Sequence, residues 1–256
     1  MTVRRAMIWV AVAALGCLPL TWLVRAISKG RESARWARCG GNLKQLAIAL
    51  LNYESAYGCF PPAYVADANG RPLYSWRVLL MAELDRGVSG WLGGRLARGF
   101  HFDEPWDSPH NSKLHGLVHS TFRCPSDPAG PGSTETNYVA VVGPGTLFPS
   151  DGTSRRPADV TDGTNKTFML VEVADSGIHW MEPRDLDWTT MSFQIDDPAR
   201  PSISSHHTLD PNAVAVDSTG YVLPRNVTPQ EMKALLTIAG GEKIDPDWDL
   251  GRYANW

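Results

Sequence analysis

Histidines, carboxylates, cysteines and tryptophans are the residues of this chain whose types and spacing could do chemistry. His115 and His119 stand four apart, which would put both on one helical face, as in zinc hydrolases. Gly116 occupies the place where such a motif needs its glutamate, and it weakens the helix, so metal-assisted hydrolysis is not expected there. His101, Asp103, Asp107 and His110 form a denser polar group suited to a hard or borderline cation, although Asp- and Pro-rich turns have the same composition. Asp159, Asp162 and Asn165 around Gly163 lack the ligand order and terminal glutamate of a calcium loop and read as a tight turn. Ser204, Ser205, His206, His207 and Asp210 include the residue types of a serine triad. Triads, however, converge from separated segments, and no nucleophile elbow is present. Glu172 and Asp175 could be paired carboxylates, but alternation along a strand sends them to opposite faces.

Among the ten tryptophans, flat rings that could stack on a sugar are sought in loops, which selects Trp106, Trp180 and Trp188, with Trp91 as a further case. Trp76 reads as helix packing. Of four cysteines, Cys17 lies within an apolar run, and the odd number outside it permits one disulfide and one free thiol. No close pair of cysteines argues for a tetrathiolate zinc site. Neither a phosphate-binding loop nor a dinucleotide fingerprint occurs, and the pattern points to no catalytic residue and no cofactor.

The elements that must position these groups begin with an amphipathic helix over Asn42 to Tyr57, where Leu43, Leu46, Ala47, Leu50, Leu51 and Tyr53 recur at helical period. Gly58 and Pro61-Pro62 stop it. Ser75 can cap a second helix, Trp76 to Arg86, and the glycine- and tryptophan-rich text from Gly87 to Asn111 reads as ordered loop. Strands are expected at Thr136 to Val142 and Thr167 to Val173. Ala213 to Val216 and Tyr221 to Leu223 flank a turn at Asp217 to Gly220 and read as a hairpin. Thr228, Pro229 and Glu231 form a capping box for a last helix, whose apolar run Met232 to Ala239 ends at Gly240 and Gly241. The apolar fraction of 43% is ample for a core.

Ala6 to Val24 carries no charge and matches the roughly 20 helical residues that cross a bilayer. A cleaved signal peptide is the competing reading. No convincing small-x-small cleavage site follows Val24, so an uncleaved anchor is preferred. The net charge of -3 hides an asymmetry: Arg4, Arg5, Arg25, Lys29, Arg31, Arg35 and Arg38 precede residue 39, where Glu32 is the single acid. The remainder is acidic, which argues against a nucleic-acid partner. A positive-inside count taken alone would leave the C-terminal domain in the cytoplasm.

The segment Arg31 to Pro62 (RESARWARCGGNLKQLAIALLNYESAYGCFPP) resembles the opening of the large planctomycete family DUF1559, whose members resemble type II secretion pseudopilins, protein G among them, and type IV pilins. The resemblance continues through SWRVLL (Ser75 to Leu80), DEPWDSPHN (Asp103 to Asn111), FRCPSDP (Phe122 to Pro128), TNYVAVVGPGTLFP (Thr136 to Pro149) and DVTDGTNKTFMLVEVADSGIHWMEPRDL (Asp159 to Leu186). It implies an α+β fold: a long N-terminal helix, half in the membrane and half packed on a small antiparallel sheet, with a loop-rich head outside the cytoplasmic membrane. The implied division is a basic segment 1–5, an anchor 6–24, a basic juxtamembrane and amphipathic helix 25–57, and an extracytoplasmic head 58–256. It also implies a Cys39 to Cys124 disulfide between helix and head, with buried free thiols as the alternative.

Two departures qualify this. No Asp or Glu precedes Glu32, so the prepilin peptidase signal is missing, which argues against both processing and incorporation into a filament. Where relatives have a His-Gly-Gly turn and then Ala-Asp-Gly-Ser, this chain has Ser205-His206-His207 and then Asp217-Ser218-Thr219-Gly220. The expectation is a single-pass, pseudopilin-like envelope protein of the cytoplasmic membrane that acts structurally or through other envelope proteins. An exported module for carbohydrate or a metal ion, and a divergent hydrolase, are the alternatives.

Overall fold

The computed structural model describes residues 3–85 and 91–241, with the side chains of residues 3–21, 85, 91 and 92 outside that description. Helix α1 spans Val3–Tyr57 without interruption, so Gly30, Gly40 and Gly41 do not divide it. Cys39, Leu43, Leu46 and Leu50 recur at spacings of three and four, and all are fully buried, as an amphipathic stripe requires. Gly58 ends the helix in the left-handed region (φ +75°). The span expected at 6–24 falls mostly on residues whose side chains are not described. Among the described residues, no helix is long and apolar enough to cross a membrane.

Four strands form an antiparallel sheet in the order β3 (Tyr138–Val139), β5 (Phe168–Glu172), β7 (Asn212–Ala215), β8 (Gly220–Val222). Strand alternation divides the core in two. Tyr138, Leu170 and Val214 pack with the α1 stripe, while Val139, Val171, Ala213 and Ala215 pack with Met232, Leu235 and Leu236 of α4 (Pro229–Leu236). The sheet is thus sandwiched between α1 and α4. The hairpin expected around Asp217 to Gly220 is β7–β8, with Ser218 held at φ +69° in its turn. The capping box at Thr228 is also present.

Two smaller pairs complete the sheets: antiparallel β1 (Tyr64–Ala66) with β2 (Pro72–Ser75), and β4 (Val141–Val142) with β6 (Leu186–Asp187), which is parallel. The single strand expected over Thr136 to Val142 is therefore split at Ala140. Its N–H donates to the buried Asp185 carboxylate (2.9 Å) and not to a neighbouring strand. Helix α2 runs Trp76–Asp85, with the Ser75 hydroxyl accepting from the Arg77 N–H.

Two expectations need correction. The stretch read as loop from Gly87 contains α3, Trp91–Gly99, against α2. Its glycines lower helix propensity, but packing of the buried Leu96 overrides it. Helix α4 stops at Leu236, before Gly240, because Thr237 pairs with Thr146 and the Ile238 N–H donates to the Gly145 carbonyl (2.9 Å).

Candidate functional site

Between α1 and one end of the sheet, four segments remote in sequence bring together Cys39, Cys124, Glu172 and His207. All four are buried, and one donor atom of each lies within 4.8 Å of the others. Cys39 belongs to the α1 stripe. Glu172 ends β5 two residues beyond Leu170, so alternation turns it to the α1 side. Cys124 follows a 3-10 turn over Ser120–Phe122, and its N–H donates to the Asn137 side-chain oxygen (2.8 Å). His207 sits in the segment after β6, where the Trp36 indole N–H donates to the Asp210 carbonyl (3.0 Å) and Arg225 binds Asp210 and Asp196.

The contacts within the site are short and directed. His207 Nε2 lies 3.1 Å from Cys124 Sγ and 4.0 Å from Glu172 Oε1. His207 Nδ1 is 2.6 Å from Oε1 of Glu32, which stands two helical turns before Cys39 on the same face of α1. The Tyr138 hydroxyl donates to Cys39 Sγ (3.1 Å). Glu172 accepts from the Ser205 hydroxyl (2.7 Å) and from the backbone and side-chain nitrogens of Asn212 (3.1 and 3.2 Å). Cys124 also borders a groove of about 850 Å³ lined by Arg38, Asn42, Gln45, Thr121 and Arg123.

Electrostatics distinguish the two thiols. The hydrogen bond from Cys39 holds Cys124 down at about 5 against the effect of burial, with His207 adding to it. Cys39 is driven well above the usual thiol range by burial and by the negative charge on Cys124 and Glu172. Burial disfavours a charged His207, yet Cys124 first, then Glu32 and Glu172, raise it to about 9. Glu172 is raised by burial and by Cys124. The cluster thus favours negative charge on Cys124 over Cys39 and positive charge on His207, which Glu32 grips at Nδ1.

Two thiols, an imidazole and a carboxylate are a ligand set for a borderline or soft cation. The pairing of Cys39 with Cys124 is reached as a juxtaposition: both are free thiols. The sequence reading missed Glu32, Glu172 and His207 as partners of the cysteines. They are dispersed from residue 32 to residue 207, and no spacing motif links them.

The other candidates are placed differently. His101 and His110 come together, with rings stacked at 4.4 Å, but their carboxylate is Glu104. Among the described residues, Asp103 and Asp107 join no metal-ligating group. Trp180 is fully buried and donates to the His115 carbonyl (2.9 Å), so it offers no face to a sugar. Trp106 is covered by His115 and His179 (5.1 and 4.7 Å), and Trp188 packs on Phe193. His115 and His119 do not share a helix, since 3-10 turns at Asn111–Leu114 and Ser120–Phe122 flank them. Asp175, which the strand pattern sends away from Glu172, is exposed beside His206 (3.3 Å).

Searches of curated proteins and of solved structures return no match. The family model described as a protein of unknown function, DUF1559, matches residues 28–234, well over half of the chain and all of the segments that hold the buried cluster. The chain belongs to the DUF1559 family.

Proposed function

We propose that this protein is a membrane-anchored, pseudopilin-like component of the cell envelope that acts structurally or through protein interaction, without catalysis. The observation that carries the reading is the form of α1. From Cys39 onward its stripe is buried in the head, whereas Trp22, Leu23, Val24 and Ile27 are all exposed, Trp22 by 72%. Large apolar side chains grouped on an exposed helix call for a covering phase. They lead directly from the charge-free run Ala6 to Val24. The basic residues that follow suit the level of lipid headgroups.

The absence of catalysis rests on the burial of the reactive groups. Cys124 and His207 are in contact, but at 4% and 3% exposure only an edge of Cys124 reaches the groove beside α1 and His207 lies behind it. The test is fractionation of cells making the full chain, with intact-mass measurement and protease treatment of spheroplasts. The expected result is a membrane-bound chain with an unprocessed N-terminus, a head digested from outside, and crosslinks to itself or another envelope protein. A head protected in spheroplasts, or a full-length chain in the soluble fraction, would overturn the reading.

A further inference from the structure

We propose that Cys39, Cys124, Glu172 and His207 form a four-coordinate site for a zinc-type divalent cation that clamps α1 to the head. The donors number four, and thiolate, imidazole and carboxylate are each zinc ligands. Ligands at zinc distances and tetrahedral angles stand roughly 3.3 to 3.8 Å from one another. The donor atoms here lie within 4.8 Å of one another, and Cys124 Sγ and His207 Nε2 are already at 3.1 Å. Side-chain rotation of about an ångström closes the remaining gaps.

The surroundings are those of an oriented metal site. Glu32 holds His207 by Nδ1 and so presents Nε2 to the cluster, the carboxylate-histidine arrangement that fixes a metal-binding tautomer. Asn212 donates to Glu172 Oε2, while Oε1 accepts from the Ser205 hydroxyl and keeps its other lone pair on the side of His207, 4.0 Å away. Tyr138 supports the Cys39 sulfur. A disulfide would use the same two sulfurs, but it would not account for His207 Nε2 and Glu172 Oε1 converging on them. The exposed His101, Glu104 and His110 group has no thiolate and three donors only. It is expected to hold zinc-type ions more weakly.

Binding displaces the protons that the ligand atoms carry, because a metal takes thiolate, neutral imidazole Nε2 and carboxylate. The protons pass to solvent and no electron is transferred, so the uptake is pH-dependent.

The experiment uses the full chain in detergent, purified without chelator, with metal content by mass spectrometry and cobalt as optical probe. The expected result is stoichiometric zinc, and, after cobalt is loaded in its place, the thiolate-to-cobalt charge-transfer and tetrahedral d–d bands. Cys124→Ser and His207→Gln should each lower occupancy at least tenfold, and Glu32→Gln should weaken binding by about 10- to 100-fold. Cys59→Ser and the double change His101→Ala with His110→Ala should leave occupancy unchanged. If a ligand variant does not fold, the cobalt spectrum of the unaltered chain decides alone, since the exposed histidine group cannot give a charge-transfer band from sulfur. Three results would overturn the proposal: wild-type chain with free thiols that takes up neither ion, metal retained in folded Cys124→Ser and His207→Gln, or a wild-type chain two hydrogens lighter whose Cys39 and Cys124 resist alkylation.

Discussion

Replacing Arg77 by Met tests how the head is held to its second helix. Arg77 and Asp185 are buried to 0% and 1% side-chain exposure and form a direct ion pair. The guanidinium also donates to the Tyr138 carbonyl (3.2 Å) and the Ser75 hydroxyl (2.8 Å). Asp185 in turn accepts from the Ala140 N–H (2.9 Å) and the Trp76 indole (3.1 Å). Burial lowers the Arg77 pKa and raises that of Asp185, so each charge depends on the other. Met fills much of the volume but strands the Asp185 carboxylate in the core. Removing one partner of such a pair costs about 3–5 kcal/mol. For a chain of this size that is roughly 10 °C in melting temperature, at about 2–4 °C per kcal/mol. The companion change Asp185→Asn removes the stranded charge while leaving an oxygen for Ala140. The double variant should therefore lose clearly less than the sum of the two singles, read from urea or thermal unfolding of the chain in detergent. A single-variant loss under about 1 kcal/mol, or strict additivity, would refute the reasoning, because directly contacting groups couple by about 0.5–3 kcal/mol.

Three further outcomes follow from particular contacts. A Cβ at Gly143 would stand 2.4 Å from the Cβ of Trp188, which cannot swing away, so Gly143→Ala should destabilise by about 1–3 kcal/mol in the same unfolding assay. Ser218 holds φ +69° in the β7–β8 turn, a region costing a non-glycine residue roughly 1–2 kcal/mol. Allowing for the greater freedom of glycine in the unfolded chain, Ser218→Gly should stabilise by about 0.5–1 kcal/mol, seen as a raised urea midpoint. His179 is depressed from 6.5 to about 4, by burial first and then by His115. The unfolded chain then binds this proton before the folded one does, so the contribution is fully present above pH 6.5 and is lost as pH falls toward 4. Urea midpoints measured across that window should show a step that His179→Gln removes.

Much of the fold is legible in the chain because it is specified locally. The stripe ending at Tyr57, the stop at Gly58, the turn at Asp217 to Gly220 and the capping box at Thr228 are each written within a few residues and recur in the structure. Where packing competes with local preference, the pattern misleads. Glycine-rich Trp91–Gly99 becomes helix against α2, the strand at Tyr138 breaks where Asp185 captures Ala140, and α4 ends early because Thr237 finds a bridge partner in Thr146.

The same division applies to the candidate site. Sequence alone determines the helical stripe from Asn42 to Tyr57 and a strand over Thr167 to Val173 that contains Glu172, because helix and strand periods are properties of the backbone. That α1 runs unbroken through Gly40 and Gly41, which puts Cys39 on the same stripe and Glu32 two turns before it, is decided by the structure. The pattern around His101 points to His110, Asp103 and Asp107, whereas the fold sets Glu104 beside the two histidines. Only the tertiary structure decides that four buried groups meet. Residues 39, 124, 172 and 207 converge because the sheet turns Glu172 toward α1 and the segment after β6 returns His207 across it, where Glu32 holds it. Such convergence is set by the packing of whole elements, and no spacing of residues along the chain encodes it.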